Sequence, residues 1–280
     1  MAEAPPRALT IAGSDSGGGA GLQADLRTFF ACGVHGMTAV TAVTVQNSLR
    51  VSGVVEIPAE VVAAQIETVA SDIGVNAAKT GMLANADIIA AVAKACDGVG
   101  IGRGGRIPFV VDPVAASMHG DPLLHKDALR ALREDLFPRA TVVTPNLDEV
   151  ALLTGIDVRN GEDQRAAAAA LVELGAAWAL VKGGHMRDDP ECVDLLYDGV
   201  TFIELPAERV DTRHTHGGGD TMASAITSAL AKGADVVSAV RFGKEFVTRS
   251  VRNAYPLGSG VGPVSPFWRL APDDREQSGA

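Results

Sequence analysis

The chain has 280 residues, of which 47% are hydrophobic and 21% are charged, and its formal net charge is −10. This length and hydrophobic content suffice for one large α/β domain or two small ones with a substantial buried core. The acidic balance argues against a surface for nucleic acid or anionic lipid, because such surfaces need a concentrated basic face. An anionic ligand must therefore be bound by a few groups at its own site rather than by a broad basic surface.

The cysteines and the hydropathy pattern indicate a cytoplasmic protein. Cys32, Cys96 and Cys192 are odd in number, far apart and without the spacing of a metal site, so we expect reduced thiols. Residues 1–7 are polar, and no apolar run reaches the roughly 18 residues of a membrane-spanning helix. We expect neither nucleic-acid nor membrane partners.

Short apolar runs alternate with amphipathic stretches along the whole chain. We predict strands at residues 8–12, 40–46, 77–80, 109–112, 141–144 and 178–182, and helices around residues 22–30, 61–69, 147 onwards, 162–174 and 222–230. Two further strands, 193–197 and 200–205, flank an Asp-Gly pair typical of a hairpin turn. The rhythm predicts one α/β domain over residues 1–280, ordered from about 8 to 270. Its mostly parallel central sheet has helices on both faces and a small antiparallel edge.

The most informative segment is a glycine triplet followed by an acid at the start of the last of these helices. The backbone amides of Gly217, Gly218 and Gly219 can converge on an anion, and the positive end of the helix dipole adds to their attraction. Asp220 is then placed to accept a proton from a hydroxyl that attacks a bound phosphate. The alternative is a glycine turn in which Asp220 is an ordinary N-cap.

Ligands of open parallel sheets bind beyond the carboxyl ends of the strands, so the residues after each predicted strand are candidates for a site. The glycine-rich segment 13–21 follows the first strand. It does not match a dinucleotide fingerprint, because Leu22 occupies the last glycine position, and no Lys-Ser or Lys-Thr pair follows it as in a P-loop. A flexible turn is the alternative.

Polar and charged residues also follow the later strands. The amide of Gln46 can read the edge of a heterocycle, Asp112 suits Mg²⁺, and Lys182 with two glycines behind it can approach phosphate oxygens. The alternatives are a turn residue, a capping acid and a surface lysine. Asn146 and Glu149 have the spacing of a capping box, which we favour on spacing alone.

Together these residues place one lysine, two or three acids and a glycine-lined helix start on one edge of one sheet. Phosphoryl transfer needs such a set, because its transition state spreads negative charge over phosphoryl oxygens. The sequence therefore predicts a phosphotransferase.

Five segments carry a family resemblance: TIAGSDSGGGAGLQADL at 10–26, KTGML at 79–83, VDPV at 111–114, TPNLDE at 144–149 and VKGGH at 181–185. In this order, from Leu9 to about Phe267, they resemble the ribokinase-like superfamily. Within it they resemble the hydroxymethylpyrimidine and hydroxymethylpyrimidine phosphate kinases of thiamine biosynthesis. The resemblance implies a ribokinase-like fold, ATP and Mg²⁺ as cofactors, and a homodimer.

The resemblance also implies a substrate and its binding residues. Gly13, Asp25 and Gln46, with Met82 nearby, would hold an aminopyrimidine ring. Its hydroxymethyl group would be phosphorylated by ATP, and the monophosphate would then be phosphorylated to the pyrophosphate used in thiamine assembly.

On the nucleotide side, the resemblance implies two catalytic side chains, Asp220 as base and Lys182 on the phosphates. Two acids, Asp112 and Glu149, would serve Mg²⁺. The positions expected to form the anion hole and the ATP site are Gly217, Gly218, Gly219, Asn146 and Thr215.

One departure from the family pattern bears on the mechanism. Such kinases often carry Gly-Thr-Gly-Cys where this chain has Gly-Gly-Gly-Asp at 217–220, and the acid resembles that of sugar and pyridoxal kinases. A carboxylate suits an alcohol acceptor, which must lose a proton. A phosphate acceptor is already anionic and would be repelled by it.

Two alternatives stay open at this point. A pyridoxal kinase is favoured by Asp220 and disfavoured by segment 20–25 and Gln46. A catalytically silent pyrimidine-binding protein is disfavoured because Lys182, Glu149 and Asp220 are all present. A nicotinamide oxidoreductase is disfavoured by the glycine spacing.

Overall fold

The structure, a computed structural model, describes residues 3–115, 124, 127–184 and 191–270. Nine strands lie in the described residues: β1 (Arg7–Ser14), β2 (His35–Gln46), β3 (Val51–Glu56), β4 (Ala77–Thr80), β5 (Phe109–Val111), β6 (Val142–Val143), β7 (Trp178–Val181), β8 (Asp194–Tyr197) and β9 (Phe202–Leu205). They form one sheet in the order β3-β2-β1-β4-β5-β6-β7-β8-β9. The predicted tail 271–280 and the last residue of the fifth motif, His185, lie outside the described residues.

The centre of the sheet is parallel and both of its ends are antiparallel. Strands β2, β1, β4, β5, β6 and β7 pair in parallel, whereas β3 joins β2, and β8 and β9 join β7, in antiparallel register. The predicted mostly parallel sheet with an antiparallel hairpin edge is confirmed. The second antiparallel edge, at β3, was not predicted.

Eight helices connect the strands or follow them within the described residues: α1 (Gly21–Ala31), α2 (Ala59–Asp72), α3 (Ala86–Val99), α4 (Ala128–Ala131), α5 (Leu147–Thr154), α6 (Gly161–Glu173), α7 (Gly218–Ala231) and α8 (Val236–Arg252). Helix α4 continues into a π-helical turn, Leu132–Leu136, and a 3-10 turn, Phe137–Arg139. A further 3-10 turn, Pro266–Arg269, lies near the end of the described chain.

The helices cover both faces of the sheet, as the sequence predicts. On one face, apolar residues of β1, β4, β5, β6 and β7 pack against α2, α3, α4, α5 and α6. On the other face, α1, α7 and α8 pack against the opposite side of the same strands. Both sides of the short central strands are covered, so β5, β6 and β7 are continuous apolar runs, whereas β4 carries the buried polar residues Lys79 and Thr80.

Three helices, α3, α4 and α8, and one strand, β3, were absent from the sequence prediction. Asn85 caps the start of α3, where its side chain accepts a hydrogen bond of 2.9 Å from the Ile88 amide. Asp235 caps the start of α8, where its side chain accepts one of 2.8 Å from the Ser238 amide. Both caps are recognisable in sequence. Strand β3 buries no residue fully, so it lacks the alternation that marks a half-buried strand.

In the described part of the chain, no helix combines the length and the apolarity needed to cross a bilayer. All three cysteines are free. Cys32 and Cys96 are buried in the core and Cys192 is partly exposed.

Candidate active site

The carboxyl ends of β1, β4, β5 and β7 lie along one edge of the sheet. Gly13 is near the end of β1, Met82 follows β4, Asp112 follows β5 and Lys182 follows β7. The first turn of α7 packs against the same edge, which brings Asp220 to these residues. Segments distant in sequence thus meet at one site, as the positions of the strand ends predict.

The turn before α7 is fixed by a close backbone contact. Gly217 caps the helix with a φ of 74°, a left-handed conformation that favours glycine. A Cβ atom at Gly217 would overlap the carbonyl oxygen of Gly19 in the β1–α1 loop. The Gly218 amide donates a hydrogen bond of 3.1 Å to the carbonyl of Thr215, a residue that is exposed. The two glycine-rich segments therefore pack directly against each other.

The start of α7 leaves backbone amides available to a ligand. The first helical hydrogen bond joins the Thr221 amide to the Gly217 carbonyl at 2.9 Å. The amides of Gly219 and Asp220 have no hydrogen-bond acceptor among the residues that the structure describes. Two donors and the positive end of the helix dipole can therefore bind an anion here.

Lys182 lies opposite this helix start, and its side chain is 15% exposed. Its Nζ is 3.1 Å from Oδ1 of Asp112, which also accepts a hydrogen bond of 2.8 Å from the Thr144 hydroxyl. A Cβ atom at Gly219 would lie 3.3 Å from Lys182 Nζ. Burial acts to lower the pKa of Lys182, but Asp112 and Glu149 outweigh it and raise that pKa above its usual value. The site therefore holds a charged ammonium group beside the free amides.

Asn146 and Glu149 form the capping box that their spacing predicts. The Glu149 amide donates 2.9 Å to Oδ1 of Asn146, and the Asn146 amide donates 2.8 Å to Oε2 of Glu149. The box nevertheless belongs to the site. Burial raises the pKa of Glu149 to about 7, while Lys182 opposes this rise and Asp112 adds to it. Asn146 and Glu149 can therefore cap the helix and still contribute to the candidate site.

Asp112 and Glu149 fit the predicted magnesium site. Within the described residues, no cluster of three His, Cys, Asp or Glu side chains has metal-binding geometry. Mg²⁺ does not require one, because it commonly binds one or two carboxylates and completes its shell with phosphate oxygens and water. Burial and the neighbouring Asp112 raise the pKa of Glu149, and a bound divalent cation would act in the opposite direction by favouring its ionised form. The assignment of these ligands stays a prediction.

Asp220 lies among charges of both signs in the first turn of α7. Its Oδ1 is 3.9 Å from Nζ of Lys79. Burial raises the pKa of Asp220 to about 6, Lys79 opposes the rise, and Asp25 and Asp112 add to it. Since pH 7 is about one unit above this value, most molecules carry an ionised Asp220 that can accept a proton.

Asp25 does not lie where the sequence analysis expects a residue in contact with substrate. Its side chain is fully buried, and its oxygens accept hydrogen bonds of 2.6 Å from the hydroxyls of Thr10 and Ser224. Both oxygens also lie within 3.0 Å of Lys79 Nζ. Because these partners occupy the carboxylate, the structure favours an indirect role for Asp25 behind Asp220.

The other predicted substrate residues lie together at the carboxyl end of β1 and β2. A Cβ atom at Gly13 would overlap the methyl group of Met82, so these two residues are in contact. The backbone of Gln46 exchanges two hydrogen bonds of 2.9 Å with the Ser16 hydroxyl. The Gln46 side chain is half-buried and has no hydrogen-bond partner in the described part of the chain. Its amide is available to a ring with matching donors and acceptors.

Asp15 and His216 join the substrate side to the phosphate side. Asp15 accepts hydrogen bonds from the amides of Gly17, Gly19 and Ala20, at 2.8 to 2.9 Å, and lies 2.9 Å from Nε2 of His216. Burial acts to raise the pKa of Asp15, but His216 and these amides outweigh it and lower that pKa. One carboxylate therefore shapes the glycine loop and fixes it to the residue before the anion hole.

The sequence analysis assigned no role to Lys79, Asp15 or His216. A single lysine in a strand of small residues gives no spacing signal, and its partner Asp25 is 54 positions away. A signal existed for Asp15, since an aspartate two residues before a glycine run can accept bonds from the amides of its own loop.

Comparison with known proteins agrees with this geometry. A sequence model of the family described as phosphomethylpyrimidine kinase matches residues 15–265. The chain belongs to the phosphomethylpyrimidine kinase family. A relative from Mycobacterium leprae (strain TN), named hydroxymethylpyrimidine/phosphomethylpyrimidine kinase, is 60% identical over 269 residues, which cover 95% of each chain.

Solved structures place the fold among vitamin kinases. Pyridoxal kinase from Bacillus subtilis, solved with ADP, has a TM-score of 0.86 and 40% identity, and the match covers 96% of this chain and 100% of that one. Pyridoxal kinase from Staphylococcus aureus, solved with AMP-PCP and pyridoxal, has a TM-score of 0.84 and 37% identity over 94% of each chain. The ribokinase-like fold expected from the sequence is confirmed.

Proposed function

We propose that the protein is an ATP-dependent kinase that phosphorylates 4-amino-5-hydroxymethyl-2-methylpyrimidine and then its monophosphate, giving the pyrophosphate for thiamine biosynthesis. The decisive observation is that Asp220 and two unpaired amides lie opposite the Lys182–Asp112 pair at one sheet edge. The substrate comes from the names of relatives that are 60% and 44% identical to this chain.

The chain's own groups account for the first phosphoryl transfer. The hydroxyl oxygen of the acceptor forms a bond to the γ-phosphorus of ATP while Asp220 accepts the hydroxyl proton. The bond between that phosphorus and the ADP oxygen breaks. The amides of Gly219 and Asp220, with the ammonium of Lys182, stabilise the charge on the transferred group.

Magnesium completes the nucleotide site in this proposal. Asp112 and Glu149 would hold Mg²⁺, which when bound neutralises charge on the ATP phosphates. Asn146 would contribute to the same site by fixing Glu149 through the capping box, and Thr215 by supporting the turn before α7. The ADP and AMP-PCP complexes of the structurally similar pyridoxal kinases support nucleotide binding on this scaffold.

The pyrimidine would bind beside the glycine loop. Gln46 has a free amide that matches the amino group and ring nitrogen of an aminopyrimidine. Gly13 and Met82, which are in contact, would provide a flat apolar surface for the ring. Asp25 would act from behind through Lys79 rather than on the ring itself.

We also propose a homodimer formed through the β3 edge of the sheet. Val43 and Val55 are cross-strand partners, so they share a face of the sheet with Val45, and all three are exposed. Contiguous exposed apolar side chains at a sheet edge are typical of a surface that another chain covers. A second copy of this chain is the partner that the family resemblance implies.

Two further features belong to the proposal. A single domain is supported because all nine strands in the described residues lie in one sheet. A cytoplasmic location is supported by three cysteines that are free, since reducing compartments keep thiols unpaired.

A coupled assay of ADP release tests this function. The purified protein with ATP and magnesium should turn over hydroxymethylpyrimidine and its monophosphate, each in an acceptor-dependent manner. Pyridoxal is the third acceptor, since Asp220 resembles the acid of pyridoxal kinases.

Each outcome of the assay has a clear meaning. Faster turnover of pyridoxal than of either pyrimidine would replace the proposed substrate with pyridoxal. If none of the acceptors stimulated ADP release, the catalytic function itself would be wrong and a pyrimidine-binding protein would take its place.

A further inference from the structure

Lys79 is a buried lysine that links Asp25 to the active site, and the reaction described above does not say what it does there. It lies in β4, its side chain is fully buried, and its Nζ is 2.9 and 3.0 Å from the two oxygens of Asp25. Thr10 and Ser224 donate to the same carboxylate at 2.6 Å. Strand β1, strand β4, helix α1 and helix α7 therefore converge on one ion pair.

The ammonium of Lys79 also faces the proposed base, since its Nζ is 3.9 Å from Oδ1 of Asp220. Burial acts to lower the pKa of Lys79, but Asp25, Asp220 and Asp112 outweigh burial and raise it. The lysine is therefore charged. It lies between Asp25, whose oxygens already have hydrogen-bond partners, and Asp220, whose side chain is 15% exposed.

We propose that Lys79 is a positioning residue for Asp220: its ammonium, anchored by Asp25, holds the carboxylate of Asp220 in the place where it accepts the proton. The role rests on the proposed function, in which Asp220 accepts the proton of the acceptor hydroxyl. Asp25 serves in this arrangement as the anchor of the lysine.

The charges around Asp220 explain why such a residue is needed. The groups that face it from the neighbouring elements are Lys79, Asp25, Asp112, His216 and Lys182. Burial and the two acids favour the protonated form of Asp220, which cannot accept a proton. Lys79 is the largest opposing influence, and its effect exceeds the repulsion from Asp25. Without the lysine, Asp220 would be ionised in a smaller fraction of the molecules at neutral pH.

Three variants test the proposal: Lys79→Met, Asp25→Asn and the two combined. The readouts are the pH dependence of kcat for hydroxymethylpyrimidine, KM for ATP, and the melting temperature. Activity requires ionised Asp220, so it falls as the pH drops through the pKa of about 6. Lys79→Met removes an attraction and should move this acidic limb to higher pH. Asp25→Asn removes a repulsion and should move it to lower pH.

The double variant separates catalysis from folding. Lys79→Met alone leaves a buried carboxylate without its ion pair and should lower the melting temperature strongly. The double variant removes both charges while an amide at position 25 can still bond to Thr10 and Ser224, so the melting temperature should recover. Because the two pKa effects oppose each other, the acidic limb should move little. We still expect kcat at pH 7 to stay about tenfold below wild type, with KM for ATP unchanged, because Asp220 has lost the group that positions it.

A second buried pair supplies the matched control. Lys244 Nζ is 2.8 Å from Oδ2 of Asp194, and these side chains are 8% and 4% exposed, whereas those of Lys79 and Asp25 are fully buried. Lys244→Met should lower the melting temperature and leave the acidic limb where it is. If instead the double variant at Lys79 and Asp25 regained both wild-type kcat and the wild-type pH profile, the pair would be structural only and the proposal overturned.

The failure of the proposed function would be visible separately. A wild-type protein without acceptor-dependent ADP release would overturn that function and the role of Lys79 with it. Normal wild-type turnover, combined with acidic limbs that do not move in Lys79→Met and Asp25→Asn, would overturn only the role of Lys79.

Discussion

Asp220 is a carboxylate at the start of α7, and its chemistry suits only one of the two proposed acceptors. The hydroxymethyl group must lose a proton, whereas the monophosphate already presents an anionic oxygen. We therefore expect Asp220→Asn to slow phosphorylation of hydroxymethylpyrimidine by about 10² to 10⁴-fold, the usual contribution of a general base. Phosphorylation of the monophosphate should fall far less, or rise, because a like charge is removed.

The measurement is ADP release with each acceptor in turn under saturating ATP. Asparagine has nearly the same shape, so the melting temperature serves as a control for folding. An equal loss of rate with both acceptors would contradict this division of labour and would indicate that Asp220 acts mainly on the nucleotide.

The residue types at the strand ends predicted which side chains gather, but not how they pair. Asp112 and Lys182 follow separate strands in the sequence, and the structure places their charged atoms 3.1 Å apart. The capping box of Asn146 and Glu149 follows from spacing, because all of its atoms belong to one helical turn. The partner of Asp25 does not follow from spacing, since Lys79 lies in β4, and two strands and one helix separate β4 from α1 along the chain.

At the scale of the element, the turn before α7 depends on a glycine. Gly217→Ala introduces a Cβ atom into a left-handed conformation and into the carbonyl oxygen of Gly19. We expect a loss of about 1–3 kcal/mol in the free energy of unfolding. We also expect a marked fall in kcat, because the amides of Gly219 and Asp220 must move with the turn.

Gly161 provides the matched control for this substitution. It is the first residue of α6, its φ is not positive, and a Cβ atom there would meet no heavy atom within 4 Å. Gly161→Ala should change the free energy of unfolding by no more than about 0.5 kcal/mol and leave kcat unchanged. Urea unfolding and the ADP assay measure both quantities, and similar behaviour of the two variants would contradict the proposed importance of the turn.

The elements that the sequence predicts are those with a buried face. Buried apolar runs located the parallel strands because burial on both faces demands them. Strand β3 was missed because none of its residues is fully buried, and Val54 and Val55 are exposed at the edge of the sheet. Helices α3 and α8 could have been found from Asn85 and Asp235, so their omission reflects unused capping signals rather than missing information.

At the scale of the whole molecule, the fold keeps the candidate active site apart from the surface proposed to join two copies. The site uses the carboxyl ends of central strands, whereas the exposed valines lie on β2 and on the edge strand β3. Such a face can be buried by a partner without covering the nucleotide side at β7 and α7. The sequence could not reveal this arrangement, because a valine in an exposed strand looks the same as a valine in a buried one.

Assembly through the β3 edge predicts that one charge on this face should separate the subunits. Val55 is 64% exposed and pairs with Val43, so Val55→Glu would place a carboxylate in the middle of the proposed apolar interface. Sedimentation should give the 28.8 kDa monomer for Val55→Glu and twice that mass for the wild type. Val200→Glu is the control, since Val200 is 86% exposed in the turn at the opposite edge and should not affect the mass. A monomeric wild type, or a dimer that tolerates Val55→Glu, would show that another surface joins the subunits or that none does.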